Sequence, residues 1–384
     1  MLYIHIPYCK SKCTYCDFYS GGNPQWKRYI KAVATELSWR IEELRGDSLS
    51  SIYIGGGTPS LMPKDEFASM MTMISRCLES NAIDLTNGIE RTLEVNPEDV
   101  TTENITVWKA HGINRISMGV QSLNDQELQI VNRRHSATKA LESLELIKSN
   151  FENFSVDIIY GLPGQTQKSL ESTLGKILDY RPPHISVYSL TYEEGTALTV
   201  LRNLGKIREC SEEQYLQYDE TINQTLTEQG YERYEISNYA LPGYRSKHNS
   251  GYWIGKEYLG LGPSASSFDG LNVRRTNPPL LKNYIEYFEN VERPPVKFYT
   301  EETLSSNELM EELILLSLRT REGIDLKKFE ARFGSSAALI LKESVSAWLK
   351  TGQIIQEGDY IKLTQKGINI SDYIILSIVG KLSE

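Results

Sequence analysis

Cys9-Lys10-Ser11-Lys12-Cys13-Thr14-Tyr15-Cys16 holds three of the five cysteines of the chain, spaced C-x3-C-x2-C. Three soft thiolates on one short loop can close around one face of an iron–sulfur cluster. A structural zinc site needs four protein ligands and is a poor fit. Disulfides fit no better, because the number is odd and the spacing is too tight for easy bridging. Three ligands on a four-iron cube leave one iron free for a small chelating molecule.

The stretch just upstream, Leu2 to Ile6, reads as a strand that delivers the chain to this loop. Downstream, β-branched runs alternate with helical patterns. Strands are expected at Ser51 to Ile54, Arg91 to Val95, Arg115 to Val120, Ser155 to Tyr160 and His184 to Leu190. Helices are expected over 24–45, where Trp26, Tyr29, Ile30, Val33, Leu37, Ile41 and Leu44 form one apolar stripe, and from about Pro63, Thr101 and Thr166. Residues 124–149 read as one further helical stretch. Six strand–helix repeats imply a parallel sheet with crossover helices, either doubly wound or an open barrel of the (β/α)8 type lacking two units. Both place the site at the C-terminal ends of the strands.

Residues 230–275 mix short strand-like pieces with glycine-rich loops. Asn277-Pro278-Pro279 and Arg293-Pro294-Pro295 bracket a short helix and read as a connector. The expected division is 1–275, a connector over 276–302, and a C-terminal unit over 303–384. In that unit Leu309, Leu313, Leu316 and Leu318 suit a buried helix, and the order of elements is that of a small winged-helix-like domain.

At 384 residues and 40% hydrophobic content the chain can bury a large core. The net charge of −9 disfavours a nucleic-acid partner. The winged-helix-like part, with 10 Lys/Arg against 13 Asp/Glu, does too. The first strand begins at once, and the longest apolar runs (Leu313 to Leu316, Ile374 to Leu376) are far too short for a transmembrane segment. The expected location is the cytoplasm, where thiols stay reduced.

Other candidates sit at the ends of the strands. Gly55-Gly56-Gly57-Thr58-Pro59 lets the backbone approach a ligand closely, or makes a tight turn. Glu94 is not a favoured helix-capping residue, which points to a ligand role such as binding a ribose hydroxyl. Gln121 could read polar atoms of the same ligand. The Arg133 fork suits a carboxylate, or else a solvated helix end. Asp157 is a lone charge in a strand and needs a partner. His248, in Lys247-His248-Asn249-Ser250-Gly251-Tyr252-Trp253, is either an axial haem ligand between flat aromatic walls or a core histidine in an aromatic cluster. Cys77 and Cys210 read as ordinary thiols.

The cysteine loop with Tyr15 before its last cysteine resembles the signature of radical S-adenosylmethionine (SAM) enzymes. In that superfamily the open iron holds the amine and carboxylate of SAM, and the fold is an open (β/α)6 partial barrel. More closely, Tyr3-x-His5-Ile6-Pro7-Tyr8-Cys9, Gly55-Gly56-Gly57-Thr58-Pro59-Ser60, Glu94-x-Asn96-Pro97, Gly119-Val120-Gln121-Ser122, Asp157-x3-Gly161-Leu162-Pro163 and Ile324-Asp325-Leu326 resemble the oxygen-independent coproporphyrinogen III oxidase family. The resemblance spans essentially the whole chain. It implies a [4Fe-4S] cluster on Cys9, Cys13 and Cys16, and SAM against Tyr3, Gly56 and Glu94. Gly57, Thr58, Gln121, Arg133 and Asp157 match positions that line a second SAM in the oxidase.

Two departures point to the haem-chaperone branch of that family. Phe18 stands where the oxidase pattern has a further cysteine, which puts the second SAM in doubt. His248, Asn249, Tyr252 and Trp253 match a haem-binding signature not expected in the oxidase. The implied function is a haem carrier serving haem-accepting proteins, such as respiratory enzymes or other membrane-associated acceptors. The alternative is oxidative decarboxylation of coproporphyrinogen III. The resemblance assigns no catalytic residue.

Overall fold

The computed structural model describes residues 1–21, 23–44, 49–85, 88–290 and 298–382. Strand and helix alternate from the start: β1 (Leu2–Ile6), α1 (Trp26–Arg40), β2 (Ser51–Gly56), α2 (Lys64–Ser80), β3 (Glu90–Val95), α3 (Thr102–Ala110), β4 (Arg115–Gln121), α4 (Asp125–Ile130), α5 (Ala137–Asn150), β5 (Asn153–Tyr160), α6 (Gln167–Leu178) and β6 (His184–Ser189). Then follow α7 (Ala197–Asn203), α8 (Glu212–Glu228), β7 (Glu232–Arg233), β8 (Asn238–Ala240), α9 (Lys247–Trp253), β9 (Leu259–Leu261), β10 (Ser266–Phe268), β11 (Val273–Thr276) and α10 (Leu281–Asn290). The last part holds β12 (Thr300–Thr303), α11 (Ser306–Leu318), β13 (Ile324–Asp325), α12 (Leu326–Phe333), α13 (Ser335–Thr351), β14 (Ile354–Glu357), β15 (Tyr360–Leu363), α14 (Gln365–Ile368) and α15 (Ser371–Leu382).

The main sheet runs β7-β8-β6-β5-β4-β3-β2-β1-β9. Strands β1 to β6 are parallel and in sequence order. A doubly wound sheet reverses its strand order midway; this one does not, so the open-barrel alternative holds. The repeats are extended on both sides: β9 pairs parallel with β1, while β8 and β7 add antiparallel beyond β6. Both ends remain open.

Side chains alternate along each strand, and the two faces differ in polarity. Leu2, Ile4, Ile6, Ile52, Ile54, Leu93, Val95, Ile116, Met118, Val120, Phe154, Val156, Ile158, Ile185 and Val187 join the helices in one buried core. The intervening positions carry Tyr3, His5, Ser51, Tyr53, Glu90, Thr92, Glu94, Arg115, Ser117, Ser155, Asp157, His184 and Ser186. Hydrogen bonds join many of these across neighbouring strands. The interior of this barrel is therefore polar and built to hold groups rather than to pack.

Three parts differ from the sequence reading, the third in the C-terminal unit. The helical stretch 124–149 is broken into α4 and α5, and Asn132 in the break has a left-handed φ of 57°. Within the stretch read as a connector, α10 buries Tyr284, Ile285 and Phe288 in the main core. Arg293-Pro294-Pro295 lies outside the described residues.

The C-terminal helices close a separate hydrophobic cluster over the antiparallel sheet β13-β15-β14. Of the four leucines expected to be buried there, only Leu318 is; Leu309, Leu313 and Leu316 are half-buried on another face of α11. Among the described residues, no helix is long and apolar enough to cross a membrane.

Candidate functional site

The cysteine loop leaves β1 and is pinned at both ends. Gly21 N–H donates to Pro7 O at 2.7 Å, and Cys9 N–H donates to Gly21 O at 3.3 Å. The glycine run at the end of β2 forms its floor. Gly57 N–H donates to Ile6 O and Thr58 N–H to Tyr8 O, both at 2.8 Å. A Cβ on Gly57 would stand 2.6 Å from Tyr8 O, so the loop packs on bare backbone there. The Thr58 hydroxyl donates to Cys9 Sγ at 3.3 Å.

The break between α4 and α5 supplies the other wall. Thr14 N–H donates to Val131 O at 3.2 Å, and Asn132 Nδ2 donates to Lys12 O at 2.9 Å. The turn aims Arg133 inward. Its Nη1 lies 3.5 Å from Cys13 Sγ, and its Nη2 donates to Asn96 Oδ1 at 2.8 Å and Gly119 O at 2.6 Å. Arg133 is thus no solvated helix end. Its charge faces the loop. Cys9, Cys13 and Cys16 are free and half-buried. Burial raises the Cys16 thiol, and Cys13 and Cys9 are near enough to raise it further.

Among the described residues, no three His, Cys, Asp or Glu side chains converge on a point that would hold a single metal ion. In a cluster each thiolate binds its own iron, so the sulfurs stand further apart than around one ion. Three adjacent half-buried thiols with two donors aimed at their sulfurs suit a cluster.

Beneath the glycines, Glu94 accepts the Tyr53 hydroxyl at 2.8 Å and the Gly56 N–H at 3.0 Å. Burial pushes its carboxyl up to about 7, against the pull of Tyr53. Gly56 has φ 107°, and a Cβ there would meet His5 Nδ1 at 2.6 Å. Tyr3 OH is hydrogen-bonded to His5 Nδ1 at 3.0 Å. Gln121 sits at a register shift between β4 and β5 with φ 65°, a strained geometry for a non-glycine residue. The partner that Asp157 required is a set of serines: Ser117 and Ser155 donate to it at 2.8 and 2.9 Å. Burial still raises its carboxyl, with Ser186, Ser117 and Ser155 opposing.

Three site residues escaped the sequence reading. His5, Tyr53 and Arg115 all occupy inward strand positions, and period-two alternation carries that signal. Arg115 is 1% exposed; among the described residues it makes no salt bridge, and its Nε has no hydrogen-bond partner.

Tyr3, His5, Phe18, Tyr252 and Tyr258 line a cavity of about 440 Å³, with Phe18 66% exposed. His248 lies behind it on α9, whose N-terminus is held by the Glu90 carboxylate accepting from Lys247 N–H and His248 N–H. His248 is 1% exposed and stacks on Tyr53 at 4.9 Å. Both ring nitrogens are engaged: Nδ1 with Ser51 Oγ at 2.8 Å, Nε2 with Tyr252 OH at 2.9 Å. Burial drops its pKa to about 3, so the ring is neutral. Here it is a buried histidine in an aromatic cluster, and an iron reaching Nε2 must displace Tyr252. Trp253 faces a second, larger cavity, and Asn249 lines neither.

An open, polar-lined (β/α)6 barrel with three free thiols on the loop after β1 defines a radical SAM protein. Residues 3–177 match the family model described as Radical SAM superfamily, and 304–370 the HemN C-terminal domain. That class brings with it a [4Fe-4S] cluster and SAM. More narrowly, the chain belongs to the family of the heme chaperone HemW. The protein of that name from Lactococcus lactis is 35% identical over 96% of this chain and 94% of its own length. The one from Bacillus subtilis is 32% identical over 99% of both. The mitochondrial radical S-adenosyl methionine domain-containing protein 1 of Danio rerio is 32% identical over 96% of this chain and 83% of its own. The fold matches coproporphyrinogen III oxidase (HemN) from Escherichia coli with a TM-score of 0.82, at 23% identity, over 98% of this chain and 89% of that one.

Proposed function

We propose that this protein is a cytoplasmic haem chaperone. It binds haem at the helix Lys247–Trp253 and passes it to haem-accepting proteins, among them respiratory enzymes or other membrane-associated acceptors. What carries the reading is the near full-length likeness to proteins named heme chaperone HemW, in a chain whose α9 bears His248, Asn249, Tyr252 and Trp253. The oxidase alternative rests on the HemN C-terminal domain match and a likeness of fold.

In this reading Cys9, Cys13 and Cys16 hold the cluster, and Tyr3, Gly56 and Glu94 hold SAM. When bound, the two supply one-electron chemistry at the open iron. Thr58 and Arg133 tune the sulfurs, while Gly57, Gln121 and Asp157 shape the adjoining space. The exposed ring of Phe18 takes up part of the room a second SAM would need. Residues 1–275, with α10 packed into their core, form the radical SAM unit, and 303–384 form the C-terminal unit.

Anaerobic titration of the cluster-loaded protein should show one haem per chain. No haem absorption band on titration would end the carrier reading, and so would turnover of coproporphyrinogen III with SAM and a reductant. His248→Ala should weaken haem binding by about tenfold or more, close to 1.4 kcal/mol. Tyr252→Phe should strengthen it by about threefold, since one hydrogen bond worth about 0.5–1.5 kcal/mol no longer has to break.

SAM binding should depend on the charge of Glu94, because an ionised carboxylate accepts both ribose hydroxyls and a protonated one does not. The carboxyl is protonated below its pKa of about 7. SAM affinity should therefore rise by about tenfold from pH 6 to pH 8 as the ionised fraction grows. In Glu94→Gln it should be weaker and flat with pH. Isothermal titration calorimetry decides this; a flat wild-type profile removes Glu94 from the site.

A further inference from the structure

A cavity of about 780 Å³ lies between the end of α9 and the C-terminal unit. That is the size of a small-molecule site. One wall holds Tyr252, Trp253 and Ile254, the last 78% exposed. The other wall is α11, which carries two apolar stripes. Met310, Ile314 and Leu318 are buried in the C-terminal core. Leu309, Leu313 and Leu316, at i, i+4 and i+7, are half-buried and line the cavity. Leu313 also packs on the edge of the C-terminal core, and the stripe as a whole gives the cavity an apolar wall.

The rim is charged where the walls are apolar, with Glu312, Glu322 and Asp325 standing beside the cations. Arg245, Arg274, Lys328 and Arg332 reach it. Arg245, Arg274 and Lys328 are paired with Glu322, Glu312 and Asp325. Arg332 makes no ion pair among the described residues. An apolar slot edged by a guanidinium that lies over the Phe333 ring suits a flat apolar ring that carries carboxylates.

The two cavities share a wall. Tyr252 and Tyr258, edge to face at 4.7 Å, line both. The hydroxyl of Tyr252 is also what covers His248 Nε2. Turning Tyr252 aside would uncover the nitrogen and open the wall in one movement.

We propose that this larger cavity receives the haem ring, so that the C-terminal unit forms the second wall of the haem site and Arg332 meets a propionate. The inference rests on the haem-carrier reading and goes beyond it by assigning α11 and α12 to the site. The test is haem titration of the full-length, cluster-loaded protein carrying Leu313→Trp, which fills the cavity. Affinity should fall by about tenfold, with SAM affinity and the thermal transition unchanged. A folded Leu313→Trp variant with wild-type haem affinity overturns the site and leaves the carrier reading standing. A wild type that binds no haem overturns both.

A second measurement needs no variant. Hydrogen peroxide added to the haem-loaded wild type oxidises side chains close to the iron. Oxidised peptides should come from α11 as well as from Tyr252 and Trp253. Oxidation confined to the α9 side overturns the proposal.

Discussion

Cys13→Ala is expected to leave the protein without its [4Fe-4S] cluster. The three thiols sit on a loop of eight residues, and no fourth cysteine is close by: Cys77 is on α2 and Cys210 precedes α8. A cube held by three thiolates has no ligand to spare once one is lost. Cys13 is the sensitive member because Arg133 Nη1 lies 3.5 Å from its sulfur. Burial works against the Arg133 charge, and Cys13 and Tyr15 help to hold it. Removing the thiolate leaves the half-buried Arg133, still held by Asn96 Oδ1 and Gly119 O, facing a loop without that counter-charge. Iron and acid-labile sulfide per chain, measured after anaerobic reconstitution, should fall to background. Cys77→Ala and Cys210→Ala should load like the wild type. A Cys13→Ala protein with full iron content would remove this loop as the cluster site.

Arg133 also shows where the sequence stopped being readable. Residues 124–149 carry a helical pattern throughout, so the stretch reads as one helix. The break rests on Asn132 in the left-handed region and on Ser136 capping α5 by accepting from Lys139 N–H. Both are local choices that a periodicity average does not register. The six barrel strands were legible because each keeps apolar side chains on alternate positions against the helices. The same alternation could have revealed Tyr53 and Arg115, had the inward face been read as a lining rather than as spacing.

The aromatic cluster was half legible. His248 and Tyr252 are four apart on one helix, so their contact follows from spacing alone. The contact of His248 with Ser51 and Tyr53 joins residues nearly 200 positions apart, and no local pattern encodes that. The same holds for β9. Three residues inside a glycine-rich segment pair with β1, and this placement depends on long-range packing.

Glu36→Ala should be the most destabilising single substitution in the barrel. Glu36 is fully buried on α1 and collects four donors. Arg40 Nη1 and Asn277 Nδ2 reach Oε1 at 3.0 and 2.7 Å, while Gly262 N–H and Tyr284 OH reach Oε2 at 2.9 and 2.6 Å. These donors come from α1 itself, the turn after β9, the loop before α10, and α10. One carboxylate thus ties the last-added strand and helix to the first repeat. Burial raises its acid range, and Arg40 is the largest opposing influence. Alanine leaves Arg40, 7% exposed, with Glu43 as its remaining carboxylate, and strips the Gly262 N–H and the Tyr284 hydroxyl of their acceptor, while Asn277 Nδ2 keeps Gly262 O. Two buried donors left bare cost about 1–3 kcal/mol each, so the loss is about 3–5 kcal/mol. The first thermal transition should drop by about 10 °C. Glu36→Gln, which keeps the shape and one acceptor, should lose less. Because β9 pairs with β1 at Tyr3, the alanine variant should also bind SAM more weakly than its residual fold predicts. Differential scanning calorimetry and SAM titration at a temperature below the shifted transition check both effects; a transition within 2 °C of wild type, less than about 1 kcal/mol, would show that the network holds the barrel edge without this carboxylate.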